Sequence, residues 1–226
     1  MSLARALASL SLAALTACHS EEPMKSQVRS RNVTVLGAEV HVLDAGPADA
    51  PVVLLLHGQS FRATTWDETG TLARLADAGR RAIALDLPGY GESPANDVDP
   101  VAFVGAALDA LELERPVVVS PSMSGRFALP FAAAHPERLA GFVPIAPAGV
   151  ASSAGQLPRA TTPALVVWGE DDRLRPVAEA DELAALLPNA EVAILSGCGH
   201  ACYLDDPDAW HAALIGWLER VQPVSE

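Results

Sequence analysis

Three serines fall within five positions in "SPSMSG", Ser120 to Gly125, directly after three valines. Valines that close on small polar residues read as a buried strand turning sharply into a helix, the setting a serine nucleophile needs. The corner is tight, so the residues two positions either side of the nucleophile must be small. Ser120 has Val118 on one side and Ser124 has Arg126 on the other. Ser122, flanked by Ser120 and Ser124 with Gly125 just beyond, meets the rule. The pattern is S-x-S-x-S where G-x-S-x-G is usual, and serines in turns also cap helices or bond their own backbone. The case for Ser122 therefore rests on its partners.

A serine hydroxyl needs a base to take its proton, and the base needs an acid to hold its tautomer. After "ALVVW" comes "GEDDRLRP", with Asp172 three residues past Gly169 as the expected acid and Asp171 and Glu170 as nearer alternatives. After "AEVAIL" comes "SGCGHACYLDDP", with His200 in a glycine-rich loop. Taken singly, the acids could cap the next helix and the histidine could be a loop residue. Serine, acid and histidine in that order at the ends of strands predict a nucleophile, an orienting acid and a general base. Charge developing on the substrate oxygen needs donors already in place. The Met123 amide, directly after the nucleophile, is one candidate. In "HGQSF" the Gln59 amide is the other, with Ser60 as its neighbouring alternative. His57 is expected to pack or to stabilise that turn.

The elements needed to position these residues are legible as periodicities. "VRSRNVTV" and "AEVHVL" alternate around Leu36-Gly37 as an antiparallel hairpin does. "PVVLLLHG" is a continuous apolar run, the mark of a strand buried on both faces. "RAIALDLPG", "RPVVVS", "LAGFVPIAP", "ALVVWG" and "AEVAIL" supply further strands. Helical spacing covers 67–79, 99–113, 124–137 (with Pro130 inside), 177–187 and 206–219. An antiparallel start followed by five or six parallel strands with crossover helices predicts an α/β fold, its sheet covered on both faces. The stretch 148–161 is too short for a helical lid, so the site is expected to be open, favouring small or surface-presented acyl groups.

"LLLHG", "TWDETGTLARLADAGRRAIALDLPGYGES", "SPSMSG", "GFVPIAP", "TPALVVWGEDD" and "GHACYLDDPDAWHAAL" together resemble the α/β-hydrolase-domain-containing protein 14 subgroup of the α/β-hydrolase superfamily. The resemblance runs from about Val28 to Leu218. It implies an α/β-hydrolase fold with a minimal lid and a serine hydrolase acting on short acyl esters, with Ser122, Asp172 and His200 at the matching motif positions. It also implies acyl transfer from lysine amides to coenzyme A as an alternative on the same triad. A non-catalytic binding protein on a hydrolase fold is the third reading, and an intact triad argues against it. The chain departs from the subgroup at its N-terminus and at Cys198, where a small residue is usual.

That N-terminus, "MSLARALASLSLAALTACHS", carries one basic residue, Arg5, then an apolar stretch too short to span a membrane. Its end, "LTAC", resembles the lipobox of a bacterial lipoprotein signal. The resemblance implies a signal peptide over 1–17, a lipidated Cys18, a polar tether over 18–27 and a hydrolase domain over 28–226. His19 after the cysteine implies the outer membrane, facing the periplasm, and such a place separates the chain from cytosolic coenzyme A. The net charge of -13, with no Lys/Arg run, excludes a nucleic-acid partner. The expected partner is a small acyl ester or an acylated surface. "CGHAC" brings Cys198, His200 and Cys202 together, but no other Cys or His cluster completes a zinc set. No metal and no cofactor are expected. A Cys198–Cys202 disulfide stays open in an oxidising compartment.

Overall fold

The computed structural model of the protein describes residues 27–224. The signal segment, Cys18 and all of the tether except Gln27 lie outside the described residues.

Strands β1 (Arg29–Val35) and β2 (Ala38–Ala45) form the expected antiparallel hairpin, with Val33 opposite Val40. Leu36 and Gly37 both take positive φ, 49° and 81°, as a two-residue turn matched to strand twist requires. Six further strands run parallel: β3 (Val52–Leu55), β4 (Arg81–Leu85), β5 (Val117–Pro121), β6 (Gly141–Ile145), β7 (Ala164–Gly169) and β8 (Ala190–Leu195). The sheet order is β1-β2-β4-β3-β5-β6-β7-β8, with β2 antiparallel to β4. Ser122, Asp172 and His200 follow β5, β7 and β8, so all three leave the sheet at its carboxyl edge.

Helices α1 (Thr64–Glu68), α2 (Thr71–Asp77), α3 (Pro100–Ala110), α4 (Gly125–Ala134), α5 (Val150–Ser153), α6 (Ala178–Leu186), α7 (Cys202–Asp205) and α8 (Pro207–Val221) connect or follow the strands. The apolar runs are shared between two cores because side chains alternate along a strand. Leu54, Val118 and Val166 pack on one face with Phe103, Leu129 and Leu183 of α3, α4 and α6. Val53, Val119 and Leu165 pack on the other with Trp66, Leu72 and Leu214 of α1, α2 and α8. Two helix starts follow the same logic: Asp99 and Asp206 each accept an amide from three residues on, with proline next in line.

The helix expected over 67–79 is instead two, α1 and α2, divided at Gly70, whose φ of 74° cannot continue a right-handed helix. The helix expected over 124–137 begins with a 3-10 turn at Ser122–Ser124 and ends at Ala134, before a second such turn at Pro136–Arg138. Short helices α5 and α7 were not foreseen, being too brief to show periodicity. Only α5 and a 3-10 turn at Leu157–Arg159 occupy the stretch between β6 and β7. Among the described residues no helix is long and apolar enough to cross a membrane.

Candidate active site

Ser122 has φ of 48°, a left-handed conformation that a side-chain-bearing residue adopts at a cost. The flanking serines hold it there. Ser120 and Ser124 are fully buried, their hydroxyls 3.1 Å apart across the corner, and Ser124 Oγ also donates to the Pro121 carbonyl at 2.8 Å. The Ala148 amide donates to the Ser122 carbonyl at 2.8 Å, tying the corner to the loop after β6. Glycine is required next: a Cβ on Gly125 would stand 2.6 Å from Pro147 Cβ. Three serines in five positions are therefore one half-exposed hydroxyl and the two-sided clasp beneath it.

The acids separate by burial. Glu170 and Asp171 are exposed, whereas the Asp172 side chain is sealed from solvent. Asp172 Oδ1 accepts the amides of Leu174 and Arg175 at 2.8 and 2.9 Å, and Oδ2 lies 2.8 Å from His200 Nδ1. The Trp168 indole donates to the Arg175 carbonyl at 2.9 Å and pins the same loop to buried β7. His200 Nε2 lies 2.8 Å from Ser122 Oγ. Because a carboxylate only accepts, Nδ1 carries the proton and donates to Asp172; Nε2 keeps its lone pair and accepts from the serine. Such a series can draw a proton from Oγ as the oxygen attacks a carbonyl carbon.

Beyond the His200–Asp172 pair, the His200 loop is braced against the acid loop by the Gly197 amide, which donates to Glu170 Oε2 at 3.1 Å, and by backbone bonds. Asp171 N donates to Cys198 O at 2.8 Å and Glu170 N to Leu195 O at 3.0 Å. Gly169 lets the two loops touch: a Cβ there would run into the carbonyl oxygens of Gly199 and Cys198. Asp205 Oδ2 accepts the Gly199 amide at 2.7 Å.

The loop carrying Gln59 passes beside the serine, since a Cβ on Gly58 would stand 3.7 Å from Ser122 Cβ. His57 is buried and locked: Nδ1 donates to the Gly58 carbonyl at 2.8 Å and Nε2 accepts the Leu87 amide at 2.9 Å. Burial, the largest cause, pushes its pKa down, against weaker raising by the Gly58 carbonyl and Asp86. Gln59 is exposed in the turn, and Met123 is half-buried within the 3-10 turn that opens α4, where first-turn amides lack intrahelical acceptors.

Sequence reasoning missed Asp86. Its Oδ1 accepts the Ala63 amide at 2.6 Å, and its Oδ2 accepts the Glu92 amide at 2.9 Å and faces His41 Nδ1 at 2.9 Å. Gly91 lies so close that a Cβ would collide with this carboxylate. "DLPGYGES" thus braces the chain just beyond the Gln59 turn; a strand-end acid followed by spaced glycines was its only sequence signal. His41 Nε2 in turn meets Ser30 Oγ at 2.9 Å, a second Ser–His–Asp series. Ser30 lies within edge strand β1 and not at a strand–helix corner, so connectivity alone does not mark a nucleophile.

Cys198 and Cys202 are free and buried. Burial pushes the Cys202 thiol up to about 12 and raises that of Cys198 as well. No cluster suited to a metal occurs among the described residues.

A mostly parallel eight-stranded sheet with helices on both faces, and a hydrogen-bonded serine, histidine and aspartate on its strand-end loops, is the architecture of an alpha/beta hydrolase. Residues 53–160 match the alpha/beta hydrolase family, and the chain belongs to it. It is 42% identical over 206 residues to human ABHD14B, covering 86% of this chain and 97% of that one. The human protein's name provisionally assigns it protein-lysine deacylase activity. Protein ABHD14A of Danio rerio is 44% identical over 176 residues, which is 75% of this chain and 64% of that protein. Among solved structures, a hydrolase from Thermoplasma acidophilum described as CIB-like superposes with a TM-score of 0.82 at 24% identity, covering 86% of this chain and 99% of that one.

Proposed function

We propose that this chain is a serine hydrolase that cleaves short acyl esters through a covalent acyl-enzyme on Ser122. The observation that carries the reading is the placement of His200, 2.8 Å from both the serine hydroxyl and the Asp172 carboxylate. Ser122 Oγ bonds to the acyl carbon, its proton passes to His200 Nε2, and the amides of Met123 and Gln59 receive the charge on the substrate oxygen. The carbon–oxygen bond to the leaving alcohol then breaks as His200 returns the proton to it. Water, activated by the same base, releases the acid and restores the serine. Fluorophosphonate labelling, followed by a panel of esters of increasing acyl length, tests the reading. Ser122→Ala is expected to lose both labelling and turnover, while Ser120→Ala and Ser124→Ala keep detectable label. Label that survives Ser122→Ala and vanishes with Ser124→Ala removes the assignment.

The second reading is acyl removal from lysine side chains, with water or another acceptor taking the acyl group. Two observations favour it: the name of the human relative, and the short connection between β6 and β7, which leaves room for a protein-borne acyl-lysine. Acyl-lysine peptides assayed beside the esters separate the two, and product analysis shows which acceptor is used.

The place of action is a further part of the proposal. Lipidated at Cys18, the mature protein would begin at that residue and work near the bilayer, because residues 19–27 span at most about 30 Å at roughly 3.4 Å per residue. Intact mass of the native protein is expected to show a chain starting at Cys18 with added lipid. A chain starting at Met1, or Cys18 without lipid mass, ends the anchor proposal and leaves the hydrolase reading intact.

A further inference from the structure

Phe61 closes the turn that carries Gln59, its amide donating to the Gly58 carbonyl at 3.1 Å. Its ring shares a neighbour with the nucleophile. A Cβ built on Gly58 would stand 3.2 Å from Phe61 Cδ2 and 3.7 Å from Ser122 Cβ. The ring edge is therefore no farther from Ser122 Cβ than those two distances laid end to end, close enough to touch a substrate bonded to Oγ. On its other side the ring meets Tyr203 edge-on, with centroids 6.1 Å apart and planes at 73°, an arrangement aromatic pairs favour. Tyr203 is buried on α7, three residues after His200, with its centroid 4.7 Å from that of buried Trp66. Trp66 Nε1 in turn donates to the carbonyl of Leu56, just past β3, at 2.9 Å. An aromatic column thus fixes Phe61 between the Gln59 turn and the helix that follows His200.

The ring is not sealed in the core. Phe61 is half-buried, and with Gln59 and Tyr90 it lines a hollow of about 350 Å³. The charged residues of that hollow, Arg62 and Glu68, are of opposite sign, so it offers no net charge to a ligand. In the proposed mechanism a tetrahedral carbon on Ser122 Oγ holds an oxyanion, an acyl chain and a leaving atom. The oxyanion points to the Gln59 turn, and the leaving atom to His200 Nε2, which must protonate it. A ring that bridges the turn and the helix after His200 borders the leaving group rather than the acyl chain.

We infer that Phe61 is the specificity-determining wall on the leaving-group side. It selects neutral, unbranched aliphatic leaving groups, whether the alcohol of an ester or the side chain of an acylated lysine. The inference rests on the serine-hydrolase reading of Ser122 and adds the class of leaving group to it. Methylenes next to the leaving atom lie along the ring and are withdrawn from water, each adding about two- to fourfold to kcat/KM.

The test compares methyl acetate with butyl acetate. Both form the same acetyl-enzyme, so a difference in their kcat/KM arises no later than the departure of the alcohol. The parent is expected to favour butyl acetate by about tenfold or more, from three methylenes on the ring. Phe61→Ala should remove most of that preference, and Phe61→Leu, which keeps some apolar surface, part of it. Because both rates are read on one preparation, the ratio does not depend on how much of a variant is folded. A second pair with a fixed leaving group, 4-nitrophenyl acetate and 4-nitrophenyl butyrate, should keep its ratio in both variants. Rates for the two alkyl esters that fall in proportion would show a ring that only supports the turn, and would overturn the inference. A parent without preference for butyl acetate overturns it as well, and so does a change confined to the 4-nitrophenyl pair, which would move the ring to the acyl side. These three results leave the hydrolase standing. A parent that cleaves none of these esters loses the esterase reading and this inference together.

Discussion

Asp172 and Asp171 are neighbours with different duties. Asp171 is exposed and contributes its amide to the His200 loop, while the buried Asp172 carboxylate faces His200 Nδ1 directly. Asp172→Asn puts an amide where a pure acceptor stood, so the imidazole is no longer held with its proton on Nδ1. Turnover of the ester is expected to fall by about 10⁴, as removal of an orienting acid does elsewhere. Asp171→Asn should retain most activity because its backbone bond survives. Steady-state kinetics of the two variants decides the roles, and equal losses would falsify them.

Loops β7–α6 and β8–α7 act as one piece, joined by backbone bonds and by the close approach at Gly169. Gly169→Ala should therefore separate stability from activity. Overpacking of this kind costs about 1–3 kcal/mol. The activity loss should be larger, because displacement of a catalytic group by roughly 1 Å can cost about 10²-fold. Urea unfolding and ester turnover on the same preparation measure both effects. Activity that falls no further than stability would show that the His200 loop is placed by something other than this contact.

At the scale of the whole molecule, two histidines among the described residues resist protonation. His57 in the Gln59 loop and His211 on α8 both have pKa values pushed below the ordinary 6.5, chiefly by burial. Arg74 lowers His211 further and Asp208 opposes it; Asp86 opposes the shift at His57. At these two positions the unfolded chain takes up protons near pH 6.5, whereas the folded chain takes them up only at lower pH. Stability from these groups is therefore complete above that value and is lost as pH falls below it. Melting temperature should decline between pH 7 and pH 5. His211 meets Thr71 Oγ1 through Nε2, and His211→Gln should make the decline shallower. Parallel curves for parent and variant would remove His211 from the account.

The steric rule at the strand–helix corner selects Ser122, and the structure places that residue at a positive φ over a clasp of its two neighbours. The strands were equally legible, since continuous apolar runs have few uses other than a sheet covered on both sides. Local pattern failed where a glycine conformation interrupts helical spacing, as at Gly70, and where an element is shorter than one period, as in α5 and α7. Three adjacent acids in "GEDD" carry the same local information, and only burial and the direction of one carboxylate separate Asp172 from the others. Asp86 was invisible for a related reason. Its partners Ala63, His41 and Glu92 come from three separate segments, and distance along the chain says nothing about which polar groups will be buried together. Residue type and spacing determined the chemistry available; the packing of loops from β3, β4, β5, β7 and β8 decided which atoms face one another, because hydrogen bonding acts over about 3 Å and depends on direction.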